Sequence, residues 1–169
     1  MDFKTQVIGA AGLANVAADG LLVLVAGTAV PAGLDKPLAE LLAAAAKDGD
    51  FAFKPGQTLY AHRVAGVKAQ RVLFASLAEA TPKALRRALG LALGYVKSGG
   101  TRQLAVALAG DAGWSAALAE ALALAVSESV YLYSATKPSA PAAARLAGVS
   151  LLCAKTESAA LAAGLRRGE

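Results

Sequence analysis

Arg71-Val72-Leu73-Phe74-Ala75, then Thr81-Pro82-Lys83-Ala84-Leu85-Arg86-Arg87-Ala88-Leu89, then Leu104-Ala105-Val106-Ala107-Leu108-Ala109 decide the class of fold. The first and third runs are short, apolar and unbroken, as strands buried on both faces are. Between them Thr81 offers a helix cap and Pro82 suits the first helical position. Leu85, Ala88, Leu89, Ala92, Leu93 and Val96 then recur at helical spacing. Ser98-Gly99-Gly100 supplies glycine for a left-handed stop. A strand, a helix and a second buried strand make an α/β unit whose sheet is covered on its faces.

The flanking sequence extends the same pattern. Upstream, Lys54-Pro55-Gly56 turns into a strand over Gln57–Val64, and Ala65-Gly66-Val67-Lys68 returns it as a hairpin to Arg71. Asp35 stands where a cap would start a helix carrying Leu38, Leu41, Leu42 and Ala45, which stops at Lys47-Asp48-Gly49. Leu21–Ala26 reads as a buried strand, and Phe3–Ile8 alternates as a half-exposed edge strand does. Downstream, Asp111 or Ser115 opens an alanine-rich helix through about Val130, with Trp114 at its entrance. Lys137–Pro141 reads as a loop and Gly148–Ala154 as a last strand, and Thr156 and Ser158 stand ready to cap a final helix. The predicted order is β-β-α-β-β-α-β-α-β-α, an α/β three-layer sandwich with a mixed sheet.

The chain has 169 residues, 56% hydrophobic and 17% charged. That length suits one domain, and that composition excludes intrinsic disorder. Cys153 is the single cysteine and His62 the single histidine, which excludes a disulfide scaffold and a histidine-built metal site. The mean hydropathy is high, +0.50, yet alanine supplies much of it. The long apolar runs are broken by Pro31, Asp111 and Glu120, so no run reaches the roughly 20 residues of a spanning helix. Met1-Asp2-Phe3-Lys4 lacks a signal-peptide pattern, and an unpaired thiol fits a reducing compartment. The expectation is a soluble, cytoplasmic protein with no membrane association.

Few residues offer chemistry. Gly110-Asp111-Ala112-Gly113 follows a strand and precedes a helix, as a phosphate-binding loop would, but Asp111 brings its own negative charge and suits a helix cap better. Gly90-x-x-x-Gly94 reads as close packing of its helix on the sheet. His62 lacks a neighbouring nucleophile, Cys153 ends an apolar strand, and Asp48 and Asp50 flank a turn. The net charge of +5 is scattered. Its densest helical group is Lys83, Arg86 and Arg87, the candidate nucleic-acid contacts.

Phe53-Lys54-Pro55-Gly56-Gln57-Thr58-Leu59, followed by a hairpin and Arg71-Val72-Leu73-Phe74, resembles the N-terminal domain of the leucyl (cytosol) aminopeptidases. The helix Ala117–Val130 with Tyr131 and Tyr133 is similar to that domain's helix ending near a Leu-Tyr pair. Ser158–Arg167 resembles the helix that leads into the family's catalytic domain. The resemblance implies a macrodomain-like fold over residues 1–155, with 156–169 as the start of the connecting helix. It implies two divalent metals, Mn or Zn, in a catalytic domain whose motifs this sequence lacks. No catalytic residue, metal ligand or cofactor contact therefore carries over to this chain. The implied partners are the chain's own catalytic domain and a family hexamer. A nucleic-acid-binding accessory domain and a macrodomain-like binder of small ligands stand as alternatives. Leu161 and Leu165 give the final helix an apolar side, expected either to await a cover from the next domain or to fold back on its own sheet.

Overall fold

A computed structural model of the chain describes residues 1–96, 100–136 and 146–169. The strands are β1 (Asp2–Val7), β2 (Gly20–Ala26), β3 (Thr58–His62), β4 (Arg71–Leu77), β5 (Gln103–Gly110) and β6 (Gly148–Cys153). The helices are α1 (Lys36–Asp48), α2 (Pro82–Ala92), α3 (Ala116–Thr136) and α4 (Ser158–Gly168), with short 3₁₀ turns at Leu13–Asn15 and Leu93–Tyr95. Their order along the chain is the predicted one. The Lys137–Pro141 loop and the Ser98-Gly99 helix stop lie outside the described residues.

The strands form one mixed sheet in the order β1-β6-β5-β2-β4-β3. β3 runs antiparallel to β4, while the other neighbours are parallel. β2 lies centrally and alternates its side chains between two cores. Leu21, Val23 and Val25 pack with Leu38 and Leu42 of α1. Leu22 and Leu24 face the opposite core, built with α2, α3 and α4. This two-sided burial explains the unbroken apolar run, and the result is a three-layer α/β sandwich. The β3 strand is shorter than expected because Arg63 takes a positive φ of 54° and ends it.

Helix starts were only partly legible. Thr81 caps α2 as expected, its hydroxyl accepting from the Ala84 N–H at 3.3 Å. Asp35 occupies the cap position of α1, but its carboxylate accepts from the Ala14 N–H at 2.6 Å instead. Ser115, not Asp111, caps α3, accepting from the Leu118 N–H at 3.2 Å, and that helix runs on to Thr136. At α4 the cap position is held by Glu157, while the Ser158 hydroxyl meets Thr5 of β1 at 2.9 Å.

The final helix has its cover. Leu161 and Leu165 are each 2% exposed and belong to the α2–α3–α4 core. The alanines of α3 explain how. Gly164 lies so close to Ala116 and Ala119, and Gly168 to Glu120 and Ala123, that a side chain on either glycine would collide with α3 backbone. Small residues on both helices let the two axes approach closely.

Candidate functional site

Parallel sheets bind ligands where neighbouring strands send their connections in opposite directions, beyond the carboxyl ends. Here that point lies between β2 and β5, whose chains continue toward β4 and β6 respectively. A cleft of about 630 Å³ opens there, lined by Leu13, Gly27, Val30, Asp35, Gly110 and Asp111 among others. Gly27 (φ 121°) and Gly110 (φ 107°) shape its floor. A side chain at Gly110 would strike the Ala26 carbonyl, so the two strand ends need glycine to stay this close.

Among the described residues the lining contains two carboxylates and no basic side chain. Asp35 is engaged with Ala14, and Asp111 lies exposed beside Gly27. A phosphate here would meet negative charge without compensation, which removes the phosphate-loop reading of Gly110–Gly113. Among the described residues, no group of three or more His, Cys, Asp or Glu side chains could hold a metal ion. The two metals implied by the resemblance therefore do not fit the described part of this chain.

The remaining candidates are scattered. One guanidinium nitrogen of Arg86, Nη2, donates to both carboxylate oxygens of Glu128 on α3, at 2.9 and 2.8 Å, which ties it to the fold. Lys83 and Arg87 are exposed and border a smaller cavity of about 190 Å³ beside Pro55 and Gly56. His62 is exposed on β3. Cys153 is 3% exposed; burial raises its thiol pKa first, the nearby Glu157 charge adds to this, and a Ser158 hydrogen bond opposes it. This thiol is a poor nucleophile. Trp114 donates its ring N–H to the Leu152 carbonyl at 3.0 Å and anchors the entry to α3.

Gly90 and Gly94 contradict their sequence reading. Both are exposed, and among the described residues no atom beyond their own helix would stand within 4 Å of a Cβ built there, so they do not pack α2 on the sheet. They flank the apolar patch the sequence reading missed: Leu91 (54% exposed), Tyr95 (51%) and Tyr60 of β3 (37%). The two tyrosine rings stack at 5.7 Å. A signal was present, because Leu91 and Tyr95 fall off the buried stripe of α2 yet are apolar at i, i+4.

The fold is thus that of a three-layer α/β domain with a cleft between β2 and β5. Residues 21–139 match the cytosol aminopeptidase family, N-terminal domain. A probable cytosol aminopeptidase of Methylibium petroleiphilum is 46% identical over 168 residues, 99% of this chain but 34% of that protein. One from Polaromonas sp. is 37% identical over 137 residues, covering 81% of this chain and 27% of its own length. Among solved structures, a mutant of tomato leucine aminopeptidase shares the fold with a TM-score of 0.68 at 22% identity, over 90% of this chain and 32% of its own. The bottromycin maturation enzyme BotP in complex with Mn gives a TM-score of 0.57 at 26% identity, over 90% and 30%. The chain belongs to the cytosol aminopeptidase family and corresponds to its N-terminal domain. It spans about a third of the length of these relatives. No helix among the described residues is long and apolar enough to cross a membrane.

Proposed function

We propose that residues 1–155 are a non-catalytic domain of a metal-dependent leucyl aminopeptidase, with 156–169 beginning the helix to the peptidase domain. Its work is interdomain packing and assembly of a cytoplasmic homo-oligomer, a hexamer. The parent protein removes N-terminal amino acids from peptides with two divalent metals, Mn or Zn, held outside this chain. The observation carrying this reading is the pairing of 99% coverage of this chain with only 34% coverage of the relative. The chain's described residues, moreover, do not form a metal cluster.

Two measurements test it. Incubation with leucine p-nitroanilide and Mn should give no turnover above a metal-only blank; clear turnover defeats the non-catalytic assignment. Mixing with the separately expressed peptidase portion of the Methylibium petroleiphilum relative should give a stable complex by light scattering. That complex should protect exposed backbone of the 156–169 segment from hydrogen exchange. No complex at micromolar concentrations, or a complex that leaves that segment unprotected, defeats the assembly role.

A further inference from the structure

Among the described residues β3 is the last strand of the sheet, so one side of it has no neighbouring strand. Its bonds to β4 use alternate residues. The Gln57 carbonyl accepts from the Ser76 N–H at 2.9 Å, and the Arg63 N–H donates to the Gln70 carbonyl at 2.7 Å. With Leu59 opposite Phe74 and Ala61 opposite Val72, the odd-numbered residues face β4. Thr58, Tyr60 and His62 therefore turn their N–H and C=O groups to the free edge. Above that edge run Arg87, Leu91 and Tyr95, one helical turn apart. Leu91 and Arg87 come against Gly56, and Tyr95 stacks on Tyr60. An open strand edge and an exposed apolar helix face thus share one surface, with the small cavity at Pro55, Lys83 and Arg87 at its end.

The charge around this surface selects among occupants. Lys54, Lys83 and Arg87 are exposed, and among the described residues none of them makes an ion pair. The acid nearby, Glu79, accepts a hydrogen bond from the Thr81 hydroxyl at 3.4 Å. A second copy would bring the same positive rim against itself. A domain joined through α4 starts at the β1 edge, at the opposite end of the sheet, about 24 Å away at strand spacing.

We propose that the β3 edge takes an extended acidic segment of a partner protein by strand addition. Alternate side chains of the segment face α2: apolar ones lie on Tyr60, Tyr95 and Leu91, and a carboxylate next in the same row meets Lys83 and Arg87, with Lys54 exposed nearby. Main-chain bonds give the affinity and the aromatic patch gives the register.

The probe is a labelled heptapeptide, Glu-Thr-Leu-Thr-Val-Thr-Glu, whose odd positions share one face, titrated against the 169-residue chain by fluorescence anisotropy. Its counterpart with lysine for glutamate, and one with proline at the centre, should each bind at least about tenfold more weakly. Arg87→Glu and Tyr95→Ala should each weaken the first peptide by about tenfold with melting temperatures unchanged. Hydrogen exchange on the unmodified chain should slow at the Thr58, Tyr60 and His62 amides on peptide addition. Absence of binding, equal affinity for the glutamate and lysine peptides, or unchanged exchange at those amides overturns the proposal. Displacement of the peptide by a short oligothymidylate that binds more tightly makes the surface a nucleic-acid interface and overturns it equally. Self-association that protects the same amides without peptide assigns the edge to a second copy, which also overturns it.

Discussion

Replacing Gly164 and Gly90 separately by alanine sets two opposing effects against each other. Both glycines lie inside helices, so alanine gains roughly 1 kcal/mol of helix propensity at either position. At Gly90 nothing lies within 4 Å, and the gain is free of opposition. At Gly164 the new methyl would run into the Ala116 carbonyl oxygen and stand 3.0 Å from the Ala119 Cβ. A backbone oxygen cannot rotate aside, so α4 must shift along α3 and loosen Leu161 and Leu165. Overpacking of this kind costs about 1–3 kcal/mol, and contact with backbone places it in the upper part of that range. Gly164→Ala is therefore expected to lose about 1–2 kcal/mol net, while Gly90→Ala gains about 0.5–1. For a chain of this size those changes are about 2–8 °C down and about 1–4 °C up in Tm. Urea titration and thermal melting followed by circular dichroism read both. A Gly164→Ala protein as stable as the parent would mean that α4 is not seated on α3 as described.

Three further outcomes follow from individual contacts. The Cys153 thiol, raised above its usual 9.0 by burial, keeps its proton in the folded state after the unfolded chain has lost it. The unfolded state then binds fewer protons, so stability falls as pH rises above about 9, and Cys153→Ala should flatten the Tm–pH curve there; an identical slope from pH 8 to 10.5 refutes this. Thr81→Ala removes the cap of α2 and should cost about 1 kcal/mol by urea titration, with Thr81→Ser close to the parent. The Arg86–Glu128 pair is about half exposed on both sides, so a double-mutant cycle should give a coupling below about 1 kcal/mol that shrinks at 1 M salt.

The order of elements was legible because each boundary carries local chemistry: Thr81-Pro82 before α2, Gly49 after α1, the Ala65–Lys68 turn between β3 and β4. Apart from the β3–β4 hairpin, neighbours in the sheet were not, since the other pairings depend on contacts between distant segments. The cleft between β2 and β5 is illegible for the same reason, as no single stretch contains both Gly27 and Gly110. Asp35 shows how a local reading fails in detail. Its carboxylate could satisfy its own helix, but the Ala14 N–H, 21 positions earlier in the chain, takes it. The glycine motif fails differently. Gly90 and Gly94 have the spacing of a close helix contact but point to open space, whereas Gly164 and Gly168, at the same spacing on α4, make that contact. Spacing sets which residues share a face; the rest of the chain decides which face is covered.

The parallel pairing of β1 with β6 has a consequence for biosynthesis. Asp2–Val7, made before the other described strands, finds its strand neighbour at Gly148–Cys153. Its bond to α4 joins Thr5 to Ser158, 153 positions apart. At about 5–20 residues per second, the nascent chain carries that strand unpaired for roughly 8–30 s. The segment tolerates the wait because it alternates: Asp2, Lys4 and Thr5 stand among Phe3 and Val7, leaving less of a sticky edge than Leu21–Ala26 would present. The more apolar strands emerge later and meet their neighbours sooner. An edge strand that is half polar is thus suited to waiting unpaired until a distant partner emerges.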